Sequence, residues 1–234
     1  MLKFVRTVFK ANPLRGIRDL KLILSAEFHQ LAPSVQVLKY EIFALMCVQA
    51  VVVLSGKRKS GKDYIACKIK EAFGSDCIIC RLSEPIKREF AKAHGLDFSK
   101  LLDSSFYKEI YRSDMIKWGA VKRKEDPYVF VELAVAEALK GRYKVWLFSD
   151  ARRINDLLYF RRKYKQKCFS VRVICSEEER INRGYIFTEG VDDCESECGL
   201  DNINDWDFVF INDKEHDFQK QIEDLLLIIG KRIS

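Results

Sequence analysis

From residue 50 onward, short runs of apolar and β-branched residues alternate with stretches whose apolar positions recur every three or four residues. Runs of the first kind suit strands and stretches of the second suit amphipathic helices. The expected strands are 50–54, 77–81, 145–149, 170–174 and 207–211. Several are apolar throughout rather than alternating, as a parallel strand covered by helices on both faces requires. Strand and helix in turn predict an α/β fold with a parallel sheet and crossover helices. A last helix over 216–229 places Phe218, Ile222, Leu225, Leu226 and Ile229 on one face, a stripe that reads as core.

The polar interruption after the first strand has a specific form. Gly56 and Gly61 bracket Lys57, Arg58, Lys59 and Ser60, and Lys62 follows, matching the G-x-x-x-x-G-K phosphate loop. Residues without a Cβ let the backbone bend so that successive N–H groups converge on one anion. Ile65, Ile69 and Phe73 then recur at helical spacing, so a helix N-terminus also faces the phosphates. Asp63 stands where Ser or Thr commonly ligates Mg²⁺, which leaves the ion to water, nucleotide oxygens or another carboxylate.

Ligands of such sheets collect at the carboxyl ends of the strands. Beyond the phosphate loop, those ends carry 83–87, then Asp150 with Arg152 and Arg153, then Arg180 and Arg183, and finally Asn212. Asp150 sits where a carboxylate holds Mg²⁺ directly or through water, and equally where it would cap the next helix. Arg152 and Arg153 suit a clamp on a transferring phosphoryl group. Lys87, Lys108, Arg112 and Arg123, between the second and third strands, suit an acceptor bearing a phosphate and a carboxylate. Lys108 and Arg112 are spaced to share one helical face. The helix over 177–183 and the glycines 184, 190 and 199 suggest a mobile lid. The acidic stretch 191–202 is expected to be a solvated loop, with docking against the metal or the basic cleft as the alternative.

Composition narrows the partners. Formal charge is +7, with the isoelectric point near 8.9, which suits a polyanionic ligand and by itself also nucleic acid. Tyr107, Tyr111 and Trp118 sit at core-like helical spacing rather than as exposed stacking platforms, so no nucleic acid is expected. Eight cysteines without a clear secretory signal point to reduced thiols and a cytoplasmic protein; a monomer is expected. Cys77 and Cys80 lie on one strand and face opposite ways, a poor zinc pair. The apolar run 42–54, broken by Gln49, is shorter than the ~20 residues a bilayer needs, so no membrane span is expected.

Of the 234 residues, 46–234 form the expected single domain and 1–45 a basic N-terminal extension. Seven Lys/Arg against three acidic residues place more than half of the net charge in that extension. Phe4, Val8 and Phe9 could form a presequence-like amphipathic helix, and a solvated appendage or a natural start at Met46 fits as well. His29, His94 and His216 are scattered, so no acyl-transfer set arises.

From about residue 46 to the C-terminus the chain resembles the animal-type phosphomevalonate kinases. The resemblance rests on Ser55-Gly-Lys-Arg-Lys-Ser-Gly-Lys-Asp63, Leu101-Leu-Asp-Ser-Ser-Phe-Tyr-Lys-Glu109, Asp114-Met-Ile-Lys-Trp-Gly119, Ser149-Asp-Ala-Arg-Arg153 and Gly190-Val-Asp-Asp-Cys-Glu-Ser-Glu-Cys-Gly-Leu-Asp-Asn202. It implies a P-loop, nucleoside-monophosphate-kinase-like fold of five parallel strands with an acceptor-binding insertion and a lid. The implied reaction transfers the γ-phosphoryl of MgATP to (R)-5-phosphomevalonate, giving (R)-5-diphosphomevalonate and ADP in the mevalonate route to isoprenoids and sterols.

Matched position by position, Lys62 and Arg152 correspond to the family's catalytic pair, and 56–63 with Arg180, Arg183 and Gln221 to its ATP contacts. Lys87, Lys108, Arg112, Arg123, Arg153 and Asn212 correspond to its phosphomevalonate side, and Asp63 is the family's own residue. Glu84 replaces what looks like a family glycine and would stiffen that turn. The chain ends Lys231-Arg-Ile-Ser234 rather than in a Ser-Lys-Leu-type signal, so peroxisomal targeting is not expected. Other readings of the same residues are a P-loop kinase for another small phosphorylated acceptor, and a non-catalytic module binding nucleotide or nucleic acid.

Overall fold

Trp146 and Phe148 point to one side of a central strand and Val145 and Leu147 to the other, and all four side chains are fully buried. That strand belongs to a five-stranded parallel sheet in the computed structural model, which describes residues 44–102 and 106–233. The strands are β1 (Ala50–Gly56), β2 (Cys77–Cys80), β3 (Val145–Ala151), β4 (Cys168–Ile174) and β5 (Phe208–Ile211), in the order β2-β3-β1-β4-β5. Each expected strand is present, with bounds shifted by one or two residues. The basic extension lies outside the described residues except for positions 44 and 45.

Crossover helices cover both faces, as the unbroken apolar strands demand. Helix α1 (Lys62–Phe73) follows β1. Between β2 and β3 come α2 (Ser83–His94), α3 (Phe98–Leu102), α4 (Phe106–Ile110), α5 (Arg112–Glu125) and α6 (Val129–Ala138). Helix α7 (Ile154–Tyr164) links β3 to β4, the short α8 (Glu177–Asn182) and α9 (Glu195–Cys198) lie between β4 and β5, and α10 (Phe218–Ile233) ends the fold.

One core layer joins Val51, Val53, Trp146 and Phe148 to Val131, Val135, Leu157 and Phe160 of α6 and α7. The other joins Val52, Leu54 and Leu147 to Ile65 and Ile69 of α1 and to Ile222, Leu225 and Ile229 of α10. Each such side chain contributes about 1.5–3 kcal/mol on burial. Cys77 and Cys80 fall in opposite layers, as the strand period requires. A smaller cluster of Phe90, Ala91, Leu101 and Met115 holds the insertion together, with Tyr107, Tyr111 and Trp118 packed on it. These three aromatics are structural, as their spacing implies.

Two local expectations fail. Lys108 and Arg112 do not share a helix: Tyr111, at φ −95° and ψ 2°, breaks the run, ending α4 at Ile110 and starting α5 at Arg112. Glu84 does not lie in a turn. It occupies the first turn of α2, where a carboxylate complements the helix dipole, and it pairs with Arg88 at 2.7 Å.

Candidate active site

The loop after β1 is shaped by backbone constraint. Gly61 has φ +90°, a strained conformation for any residue with a Cβ, and a Cβ there would lie 2.1 Å from the side-chain nitrogen of Asn212, which would have to move. Helix α1 begins at Lys62, and by construction the amides of its first residues have no acceptor within the helix. The loop's carbonyls are held from behind. Arg180 Nε donates to Arg58 O at 2.9 Å, Arg183 donates to Ser60 O at 3.3 Å, and Asn212 Nδ2 donates to Ser60 O at 2.8 Å. Arg183 also donates to Asn212 O at 2.9 Å. The Ser60 amide donates to Lys57 O at 3.2 Å, and with the carbonyls occupied on one side the remaining loop amides can serve an anion on the other.

Asn212 therefore stands at the phosphate loop, apart from the other five residues that the resemblance matches to the acceptor side. Gln221 acts on the neighbouring residue: its amide accepts from Ile211 N at 2.8 Å and donates to Ile211 O at 2.9 Å, tying α10 to the end of β5.

At the end of β3 two carboxylates act on backbone. Asp150 accepts from the amides of Leu82 and Ser83, the second at 3.1 Å, and so caps α2 rather than the helix that follows it in sequence. Asp156 accepts from the amides of Arg152 and Arg153 at 3.1 and 3.0 Å and fixes the turn that presents both guanidinium groups.

In front of this turn lies a cleft of about 180 Å³. Lys87, Lys108, Arg112, Arg123, Arg152 and Arg153 line it, against an apolar wall of Leu82, Ile86, Met115 and Ile116. A second pocket, sharing Lys87, Lys108, Asp150 and Arg152, carries the surface on to Lys62 and Asp63. Five of the six residues matched to the acceptor side thus converge, together with both members of the catalytic pair, and Asn212 alone stands apart.

Crowded cations in a partly buried cleft hold their protons less tightly. Burial, reinforced by Arg152, lowers Lys62 to about 8, and burial with Lys108 nearby lowers Lys87 to about 8. Burial and Arg112 lower Lys108, and burial and Arg153 bring Arg123 down to about 10. Lined by six cations, the cleft suits a negatively charged group.

The acidic stretch is docked rather than solvated. Asp192 holds Arg58 through both carboxylate oxygens, at 2.8 and 3.1 Å, and accepts from Thr188 N at 2.9 Å. Asp201 pairs with Lys57 at 2.8 Å and Arg172 at 2.6 Å, Glu195 approaches Arg153 at 3.5 Å, and Glu197 contacts both Arg152 and Arg112. Sequence alone gave no sign of which carboxylate meets which cation, because the partners are brought together only by the fold. Among the described residues, no group of three or more His, Cys, Asp or Glu side chains could hold a metal ion, Cys194 and Cys198 included.

Comparison with known proteins places this architecture. The family profile described as phosphomevalonate kinase matches residues 54–166. The phosphomevalonate kinase of Drosophila melanogaster is 44% identical over 179 residues, covering 75% of this chain and 94% of that protein. Among solved structures, a gluconokinase from Sinorhizobium meliloti 1021 is 14% identical over 78% of this chain and 93% of its own, with a TM-score of 0.44. A deoxyadenosine kinase from M. mycoides with bound dCTP is 15% identical over 77% and 99%, with a TM-score of 0.36. At these scores the structural likeness bears on neither chemistry nor substrate. The fruit-fly relative decides the matter: almost its whole length aligns with a stretch of this chain at 44% identity, and the chain belongs to the phosphomevalonate kinase family.

Proposed function

We propose that the protein transfers the γ-phosphoryl group of ATP to the phosphate of (R)-5-phosphomevalonate, giving (R)-5-diphosphomevalonate and ADP. The observation that carries this reading is the meeting of two anion seats: the phosphate loop ending at Lys62, and the six-cation cleft that reaches it through Arg152.

In this reading the amides of the loop and of the first turn of α1 hold the ATP phosphates, and Lys62 supplies a point charge at the bridging and terminal oxygens. Arg180, Arg183 and Asn212 act on the nucleotide side by holding the loop in shape, and Gln221 by fixing the end of β5 beside it. Lys87, Lys108, Arg112, Arg123 and Arg153 hold the acceptor's phosphate and carboxylate, and the Leu82, Ile86 and Met115 wall takes its carbon skeleton. Phosphoryl transfer proceeds through a loose transition state with charge spread over the equatorial oxygens. Arg152, fixed through Asp156, is placed to follow that charge from donor to acceptor. The docked acidic segment keeps water from the cleft and so protects ATP from hydrolysis.

The residues also fit a magnesium ion held mostly by nucleotide oxygens and water. Asp150 lines both pockets, each of its oxygens accepts one N–H and retains a lone pair, and the Ser60 hydroxyl is buried in the loop without a partner. The ion would lower the cost of bringing two phosphates together. Work in the cytoplasm as a monomer belongs to the same proposal. All eight cysteines are free thiols, and among the described residues no helix is long and apolar enough to cross a membrane.

The test is ADP release in a coupled assay over a panel of phosphorylated acceptors. Turnover should require 5-phosphomevalonate, with nucleoside monophosphates and sugar phosphates giving little. Preferred turnover of a nucleoside monophosphate would replace this acceptor with another.

A further inference from the structure

Carboxylates near the cleft hold backbone amides or cations, and one of them leaves an oxygen buried with no partner. Asp156 accepts two backbone amides, Asp150 accepts two, and Asp192 accepts an arginine and an amide. Glu197 is 8% exposed and lines the cleft. One of its oxygens contacts Arg152 and lies 3.8 Å from Arg112, whereas Oε2 is buried with no hydrogen-bond partner. Among the described residues it is the only carboxylate oxygen so placed. A buried ion pair kept for stability satisfies both oxygens, because an unpaired one carries its full desolvation cost. This half-satisfied anion sits instead between two guanidinium groups whose matched roles are acceptor binding and catalysis.

We propose that Glu197 is an internal stand-in for a ligand anion: its carboxylate holds the seat between Arg112 and Arg152 that the acceptor's phosphate takes, and acceptor binding exchanges one anion for the other. The identity of that acceptor rests on the function proposed above; the exchange itself requires only a phosphate. The backbone carrying Glu197 is packed closely against the rest of the fold. A Cβ on Gly199 would lie 3.0 Å from the Arg152 carbonyl, so α9 packs directly against the end of β3, and Leu200 beside it is 1% exposed. Exchange is therefore a turn of one side chain and not a movement of the segment. Until a ligand arrives, Glu197 offsets Arg152 and shares Arg112 with Glu109, which pairs with it at 2.9 Å, and its position makes a monoanion a weak competitor and a phosphate dianion a strong one.

The test uses inorganic phosphate as the probe, titrated calorimetrically into the nucleotide-free full chain. Glu197→Gln keeps the shape and removes the charge, so phosphate should bind about tenfold more tightly than to the wild type. Glu189→Gln, an equal charge change at an exposed position of the same segment, should shift binding less than about twofold. In an Arg112→Gln background the gain from Glu197→Gln should largely vanish, since the contested seat is gone.

Unchanged or weaker phosphate binding in Glu197→Gln would overturn the proposal and make Glu197 a support for Arg152 instead. If Glu197→Gln melts below the assay temperature, Glu197→Asp, one methylene too short to reach both arginines, should show tightening of the same sign, and its failure to do so is equally adverse. These outcomes are independent of the acceptor's identity. A wild type that turns over a different phosphorylated acceptor would revise the function while leaving the exchange intact, and a wild type that turns over phosphomevalonate with no tightening in the variant would do the reverse.

Discussion

At the scale of single residues, the roles of polar side chains in this protein are set by their neighbours more than by their type. Asn212 illustrates it. Its position at the end of the fifth strand fits either side of the reaction, but its amide is committed to Ser60 O and its own carbonyl to Arg183. Asn212→Ala removes one hydrogen bond to the loop backbone, worth about 1 kcal/mol. Steady-state kinetics should then show the KM for ATP rising about fivefold, with the KM for phosphomevalonate changed less than about twofold. The opposite split would return Asn212 to the acceptor. The glycine spacing and Lys62 were legible as a phosphate loop because that geometry is local. The role of Asn212 was not, because its partner lies far away in sequence.

At the scale of elements, α5 shows how one helix furnishes a binding wall. Arg112 begins it and Arg123 stands in its last turn, and the interval is close to three full turns, so both project to the same side and line one cleft. Spacing alone pairs Arg112 with Lys108 instead, and that pairing is broken by Tyr111 between two helices. Arg123 is further held by stacking over Phe130, at 4.6 Å from the ring centroid, on the next helix. Arg123→Met preserves much of that packing and deletes the charge. The expected result is a KM for phosphomevalonate raised about tenfold to a hundredfold, as loss of a charged hydrogen bond implies, with ATP affinity intact. An unchanged acceptor KM would remove Arg123 from the site.

At the scale of the whole molecule, the fold bears the cost of burying cations in its cleft. Lys62 and Lys87 are each lowered from 10.5 to about 8, so between those values the unfolded chain binds more protons than the folded one. Stability from these groups therefore rises with pH from about 8 to 10.5, and the cost is fully present below 8. Lys62→Met removes its share of that cost. Urea unfolding should find the variant more stable than wild type at pH 7, by on the order of 2 kcal/mol, with the advantage shrinking as the pH approaches 10. A constant difference across that range would mean that burial of Lys62 carries no such penalty.

The sequence by itself determined the layered α/β architecture, the phosphate loop and the convergence of cations on one rim. Apolar periodicity, glycine spacing and strand-end position are properties of short segments and survive any rearrangement of distant ones. Only the tertiary structure decided which carboxylates meet which cations: Asp150 capping the helix after β2, Asp192 on Arg58, Glu197 between Arg112 and Arg152. Such pairings depend on how strands far apart in the chain are ordered in the sheet, and no local pattern of charge encodes that order.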